Sequence, residues 1–207
     1  MKKGVMITFE GPDAVGKTTQ IDLLTQWLRD KKVAFRLTRE PGGTPVAEKI
    51  RELLLDPANA EMSSVAEALL YAAARAEHVR HVVRPALEQG EMVVCDRYID
   101  SSLAYQGFGR ELGEDRVWQV NELAMDGILP DMTFLLLMDP GQAQVRIRDR
   151  ALDRLEMEGD AFKERLYQGF RTLAEKHSQR VVALDAALPP EAIAESIRLE
   201  LCKRGFV

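Results

Sequence analysis

The sequence predicts an α/β protein with a parallel sheet of five strands flanked by helices. Three observations carry this reading. Five short apolar runs are spaced along the chain, segments of helical length separate them, and a glycine-rich turn joins the first run to the first helix. The runs are Val5 to Glu10, Ala34 to Arg39, Glu91 to Asp96, Met132 to Asp139 and Arg180 to Ala186. Most are continuous rather than alternating, as strands covered on both faces must be. After the first run, Ile21, Leu24 and Leu28 recur at helical spacing beside Trp27, and the segment closes in the polar stretch Arg29 to Lys32. Ala66 to Glu88 predicts one long helix. Glu191 to Arg204 predicts a final helix, entered through Pro189 and Pro190.

At 207 residues, 46% of them hydrophobic, the chain can bury one sizeable core, and a single domain over residues 1–207 is expected. Its charges are mixed in sign, which argues against disorder. The 28 basic and 33 acidic residues leave a net charge of −5, the wrong sign for a general nucleic-acid binder or a membrane-surface protein. The longest stretch free of Asp, Glu, Lys and Arg runs from Ser101 to Gly109, far short of the ~20 residues a spanning helix needs. The apolar run that follows Lys2 and Lys3 stops at Glu10, too short for the core of a secretory signal. A cytoplasmic protein is therefore expected. Cys95 and Cys202, without partners at metal spacing, are expected as two buried, reduced thiols.

The strongest chemical signal lies between the first strand and the first helix. Gly11, Pro12, Asp13, Ala14, Val15, Gly16, Lys17 and Thr18 read GPDAVGKT, which fits G-x-x-x-x-G-K-[ST] and is followed by Thr19. Glycines let the backbone turn tightly, so that successive amide N–H groups and the helix N-terminus converge on a phosphate. Lys17 adds a point charge toward the β and γ phosphates, and the Thr18 hydroxyl is placed to ligate magnesium. A nucleoside triphosphate with Mg²⁺ is the ligand this loop implies. Kinases of small molecules, regulatory GTPases and motion-driving ATPases all use such a loop. A GTPase calls for an N-K-x-D guanine reader, yet the two asparagines, Asn59 and Asn121, are followed by Ala60 and Glu122. The transporter signature L-S-G-G-Q is absent as well, and a small-molecule kinase leads over a nucleotide-dependent switch.

Further motifs bear on the acceptor. TREPGGT (Thr38 to Thr44) follows the second strand, DRY (Asp96 to Tyr98) ends the third, and SSLAYQG (Ser101 to Gly107) comes directly after. Together with Asp13 inside the phosphate loop, this set resembles the thymidylate kinases across nearly the whole chain. The resemblance implies a P-loop fold of the nucleoside monophosphate kinase type with a short lid. It also implies transfer of the γ-phosphoryl group of ATP to dTMP, giving dTDP and ADP, with a broader nucleoside monophosphate kinase as the alternative.

Matched position by position, the resemblance assigns Arg39 and Arg97 to the acceptor phosphate, a task that suits bidentate guanidinium forks. Asp13 corresponds to the carboxylate that accepts from the sugar 3′-hydroxyl. Tyr71 and Arg75, four apart on one helix face, fall where the family has a stacking aromatic, there a phenylalanine, and an arginine directed at thymine O4. Tyr105 resembles the ring that packs where a ribose 2′-hydroxyl would sit, Gln106 lies against the pyrimidine, and Ser102 is beside them. Asp96 sits like a Walker-B carboxylate that holds magnesium through water. Lys17 and Arg97 are the expected catalytic charges.

Arg146 to Arg154 holds four arginines and two aspartates, and by itself reads as a solvated helix face. Where some thymidylate kinases carry an arginine in the phosphate loop, this chain has Ala14. It thus resembles the bacterial type, in which arginines of a lid, here residues 146–158, close over the donor. Arg146 and Arg148 are expected on ATP, Arg150 and Arg154 at the transferring phosphate. Ala151 stands where the family's lid has glycine. A homodimer through helices of the core is implied. His78 and His81 are expected to be solvated, and Arg110 to Arg116 receives no role.

Overall fold

The computed structural model describes residues 4–139 and 153–207. The strands are β1 (Val5–Glu10), β2 (Phe35–Arg39), β3 (Met92–Asp96), β4 (Met132–Leu137) and β5 (Val181–Asp185). They form one parallel sheet in the order β2-β3-β1-β4-β5. Four of the five expected runs are trimmed at their ends, where apolar character outlasts ladder pairing.

Continuous apolar strands make sense here because both faces are covered. On β1, Met6 packs to one side with Val93, Cys95 and Leu135. Ile7 and Phe9 pack to the other with Val94, Phe134 and Leu136. Helices α1 (Lys17–Asp30) and α8 (Pro190–Lys203) cover the second face through Ile21, Leu24, Leu28, Ile193, Ile197 and Leu201. The first face is covered by α3 (Ser64–His78), α6 (Glu114–Met125) and α7 (Asp160–Lys176), the last through Phe162, Leu166, Phe170 and Leu173. Between β2 and α3 lies α2 (Pro45–Leu55), capped by the Thr44 hydroxyl on Ala47 N at 3.1 Å.

The helix expected over Ala66 to Glu88 is a helical run with a widened turn. After α3 comes a π-helical turn, Val79–Val83, then α4 (Arg84–Glu88). Pro85 has no N–H to give to the preceding turn, and the wider turn absorbs the break. SSLAYQG is likewise helical, as α5 (Ile99–Ser102) running into a π-helical turn, Leu103–Gly109. Cys95 is buried as expected, but Cys202 is exposed on the outer side of α8. No helix of the described residues is long and apolar enough to cross a membrane.

Register brings the carboxyl ends of three strands level, with Phe9 opposite Asp96 and Arg39 opposite Asp96. The loops that carry Gly11 to Thr18, Arg97 and Glu40 therefore emerge side by side, where the chain crosses from β1 to strands on either side and where such sheets bind ligands.

Candidate active site

The phosphate loop leaves β1 through Gly11, whose φ of +130° and a carbonyl, Leu136 O, 2.1 Å from any added Cβ demand glycine. Ala14 (φ +60°) and Gly16 (φ +99°) complete the tight turn before α1. Val15 is buried in the apolar layer, so this position can offer a ligand only its backbone. Lys17 Nζ lies across the loop, donating to Gly11 O (3.0 Å) and Pro12 O (2.7 Å). Burial first, and then the nearby Arg97 charge, pull its pKa down to about 8.

Arg97, which follows β3, has a left-handed backbone (φ +68°). Its amide donates to Phe9 O at 2.9 Å, and the next amide, that of Tyr98, donates to Glu10 Oε1 at 2.7 Å. This non-glycine strain is held by the neighbouring strand and directs the guanidinium back over the loop. There Nη1 donates to Gly11 O (2.9 Å) and Ser101 Oγ (3.0 Å), and Nη2 to Asp13 Oδ1 (2.7 Å). Tyr105 donates its hydroxyl to the other oxygen, Asp13 Oδ2, at 3.0 Å, and its ring lies under the Arg97 guanidinium at 5.2 Å. Burial works against the Asp13 charge, but Arg97, Lys17 and the Tyr105 hydroxyl outweigh it and hold the carboxyl well below the usual range.

Behind them, fully buried Glu10 accepts from Ser101 Oγ, and burial, reinforced by Asp100, raises it to about 7. Asp100 is itself gripped through both oxygens by Arg180 at 2.7 Å.

The base-reading candidates converge. Tyr71, Arg75, Ser102, Tyr105 and Gln106 line a cleft of about 550 Å³ together with Asp13 and Arg97. Arg75 is 2% exposed and clamped: Nε donates to Glu40 Oε2 (2.8 Å), and Nη1 to Ser102 Oγ (3.1 Å) and Asn121 Oδ1. Its Nη2 faces Glu40 Oε2 at 2.7 Å and keeps a hydrogen for a ligand. His78, expected to be solvated, is instead fully buried, because its ring joins Thr38 Oγ1 (2.7 Å) to Glu40 Oε1 (2.8 Å). His81 is exposed, as expected.

A second, larger cleft of about 1010 Å³ runs along Asp13, Ala14, Gly16, Lys17 and Thr18 to Arg39 and Asp96. Both clefts are bounded by Asp13, Glu40, Arg51 and Arg97. Arg51 falls in no sequence motif, and Glu40, inside TREPGGT, receives no role from that motif. Arg51 lies about two turns into α2, past the Gly42–Gly43 turn, and its Nη1 donates back to Pro41 O at 3.0 Å, a placement that no local pattern announces. Arg39 does border the larger cleft, but its Nη2 is paired with Glu48 at 2.8 and 3.0 Å, so a phosphate there must compete with that carboxylate.

A further expectation is corrected. Arg154 does not reach the phosphate loop: it lines neither cleft, is 5% exposed, and is held by Leu54 O (2.8 Å from Nε) and Glu67 Oε2 (2.6 Å from Nη2). A buried carboxylate attracts the nearest guanidinium more strongly than an open cleft does. Glu67 also draws in Arg110, to which the sequence assigned nothing. Arg146, Arg148 and Arg150 lie outside the described residues.

A thymidylate kinase family model matches residues 9–197. The chain belongs to the thymidylate kinase family. A thymidylate kinase of Exiguobacterium sp. is 47% identical over 94% of this chain and 92% of its own length. One from Geobacillus thermodenitrificans is 44% identical over 98% and 94%. A crystal structure of thymidylate kinase from Ehrlichia chaffeensis superposes with a TM-score of 0.75 at 32% identity, covering 96% of this chain and 98% of that one. The fold is that of the P-loop nucleoside monophosphate kinases, and an ATP-dependent phosphotransferase is favoured over a nucleotide-dependent switch.

Proposed function

We propose that the chain transfers the γ-phosphoryl group of ATP to dTMP, giving dTDP and ADP, with ATP on the loop from Gly11 to Thr19 and dTMP in the cleft of Tyr71, Arg75, Ser102, Tyr105 and Gln106. The observation that carries this is the shared border of the two clefts at Asp13, Glu40, Arg51 and Arg97. Donor and acceptor phosphates must meet at such a border for in-line transfer, and what that transfer needs is alignment and charge neutralisation rather than a proton acceptor.

Lys17 and Arg97 supply the positive charge. Arg97 is already oriented by Gly11 O, Ser101 and Asp13, so little reorganisation accompanies the reaction. Each Asp13 oxygen accepts one hydrogen bond from the protein and has a lone pair left for the sugar 3′-hydroxyl. Tyr105, fixed by Asp13 and by an edge contact with Phe170 at 6.2 Å, fills the space that a ribose 2′-hydroxyl would need. Arg51, on the shared border, and Arg39, which borders the loop-side cleft and would have to leave Glu48, are assigned to the acceptor phosphate. The lid arginines Arg146, Arg148 and Arg150 are assigned to the donor phosphates on the family resemblance.

Mg²⁺ fits the residues present. Asp96 Oδ1 is buried and has no hydrogen-bond partner among the described residues, and it borders the same cleft as the exposed Thr18 hydroxyl. Two oxygens suit a hard cation that takes most of its ligands from phosphate and water. Bound there, the ion would neutralise charge on the β and γ phosphates.

The family resemblance also implies a homodimer, which we propose forms through α3 and α6. Val65, Leu69, Ala73 and Ala76 make an exposed apolar stripe on α3, and Leu123 on α6 is 89% exposed. Light scattering should report a dimer, and Leu69→Glu with Leu123→Glu a monomer. The reaction itself is tested by ADP formation with dTMP, dUMP, dCMP and dGMP as acceptors. Strong preference for dTMP is expected; equal turnover with all four would favour the broader nucleoside monophosphate kinase.

A further inference from the structure

Gln106 is 1% exposed at the wall of the acceptor cleft, and a carboxamide can present either its oxygen or its NH₂ to a ligand. What decides between them lies outside the cleft. Nε2 donates to Glu67 Oε1 at 2.8 Å. Glu67 is fully buried on α3, one turn before Tyr71 and two before Arg75, and is not part of the cleft lining. Arg110 Nε donates to both its oxygens (3.3 and 3.2 Å), and Arg154 Nη2 lies 2.6 Å from Oε2. A carboxylate between two guanidiniums offers only acceptors, so Gln106 must turn its NH₂ toward Glu67 and its oxygen toward the cleft.

We propose that Glu67 is a specificity-positioning residue: by fixing the Gln106 carboxamide it sets an acceptor beside the Arg75 donor. That pair matches a pyrimidine edge with a ring N–H next to a carbonyl, as in thymine. It opposes the edge of cytosine, where an unprotonated ring nitrogen adjoins an amino group, and the mismatch leaves buried groups unpaired. Charges that look structural, Glu67 with Arg110 and Arg154, thereby enter the choice of base. The inference rests on the assignment of this cleft to dTMP.

The test compares kcat/KM for dTMP and dCMP in Glu67→Gln, whose own amide can turn either way. Roughly a tenfold or greater fall in the dTMP:dCMP ratio is expected, from a higher KM for dTMP and new turnover of dCMP, with kcat for dTMP little changed. A merely structural defect would lower both acceptors alike. Glu158→Gln, which removes a partner of Arg110 without touching Gln106, should leave the ratio unchanged. If Glu67→Gln does not fold, Glu67→Asp, which keeps the charge but withdraws it from Gln106, is judged by the same ratio. An unchanged ratio in the Glu67 variant, alongside a reduced one in Gln106→Leu, would overturn the role of Glu67 while leaving the cleft assignment standing. An unchanged ratio in Gln106→Leu as well would overturn both.

Discussion

Phosphate binding should be linked to a proton on Lys17. In the free protein Lys17 is 7% exposed, and burial followed by the Arg97 charge brings its pKa from the ordinary 10.5 to about 8. A folded-state value below the unfolded one means that protonation favours the unfolded chain. The penalty is full below pH 8 and fades as pH rises from 8 to 10.5. The gap between the two values corresponds to about 3 kcal/mol. An anionic triphosphate beside Nζ relieves this penalty and restores the proton. At pH 8 the free protein carries about half a proton on Nζ and at pH 9 about a tenth, so binding should take up about 0.5 and about 0.9 of a proton. Calorimetric titration with ATP, without acceptor, in buffers of different ionisation enthalpy counts these protons. Phosphate protons titrate near 6 and contribute little at pH 8 and above. Lys17→Arg, which does not titrate in this range, should abolish the uptake. A proton count that stays flat from pH 7 to 9, or that survives in Lys17→Arg, would refute the reasoning.

Glu10 gives the opposite sign. An acid raised to about 7 resists ionisation in the fold, so the penalty is full above pH 7 and fades as pH falls toward 4.5. The protein should gain about 1 kcal/mol of stability from this group between pH 8 and 6, and chemical denaturation should show that gain missing in Glu10→Gln. Gly11→Ala forces a Cβ onto Leu136 O and should cost about 3 kcal/mol or more by denaturation; a loss under about 1 kcal/mol would mean the loop yields. Asp13→Asn removes the charge that orients Arg97 and halves the acceptors for Tyr105 and the sugar, so kcat/KM for dTMP should fall by about a hundredfold in steady-state assays.

Much of the molecule is legible in the order of its residues because the signals are local. Continuous apolar runs declare covered strands, and GPDAVGKT, lying between a strand and a helix, declares the phosphate loop without any distant contact. Tyr71 and Arg75 share a helix face for the same local reason. Less legible were the charges whose meaning comes from partners far along the chain. His78 looked solvated because nothing nearby shows that Thr38 and Glu40 are folded against its ring. Arg154 looked like a lid arginine until Glu67, 87 positions earlier, claimed it. Arg51 and Arg110 carried no local mark at all.

The sequence alone determined the five strands, the phosphate loop and the family of ligands, since backbone period and turn chemistry act over a few residues. Only the tertiary structure decided which charged side chains face the ligands and which serve as braces. The level carboxyl ends of β1, β2 and β3 bring Lys17, Arg97 and Glu40 together, while Glu67 and Asp100 draw Arg110, Arg154 and Arg180 out of reach of the phosphate loop. The physical reason is that a buried charge is tolerable only with its partner in place, and that partner is supplied by the fold rather than by sequence neighbours.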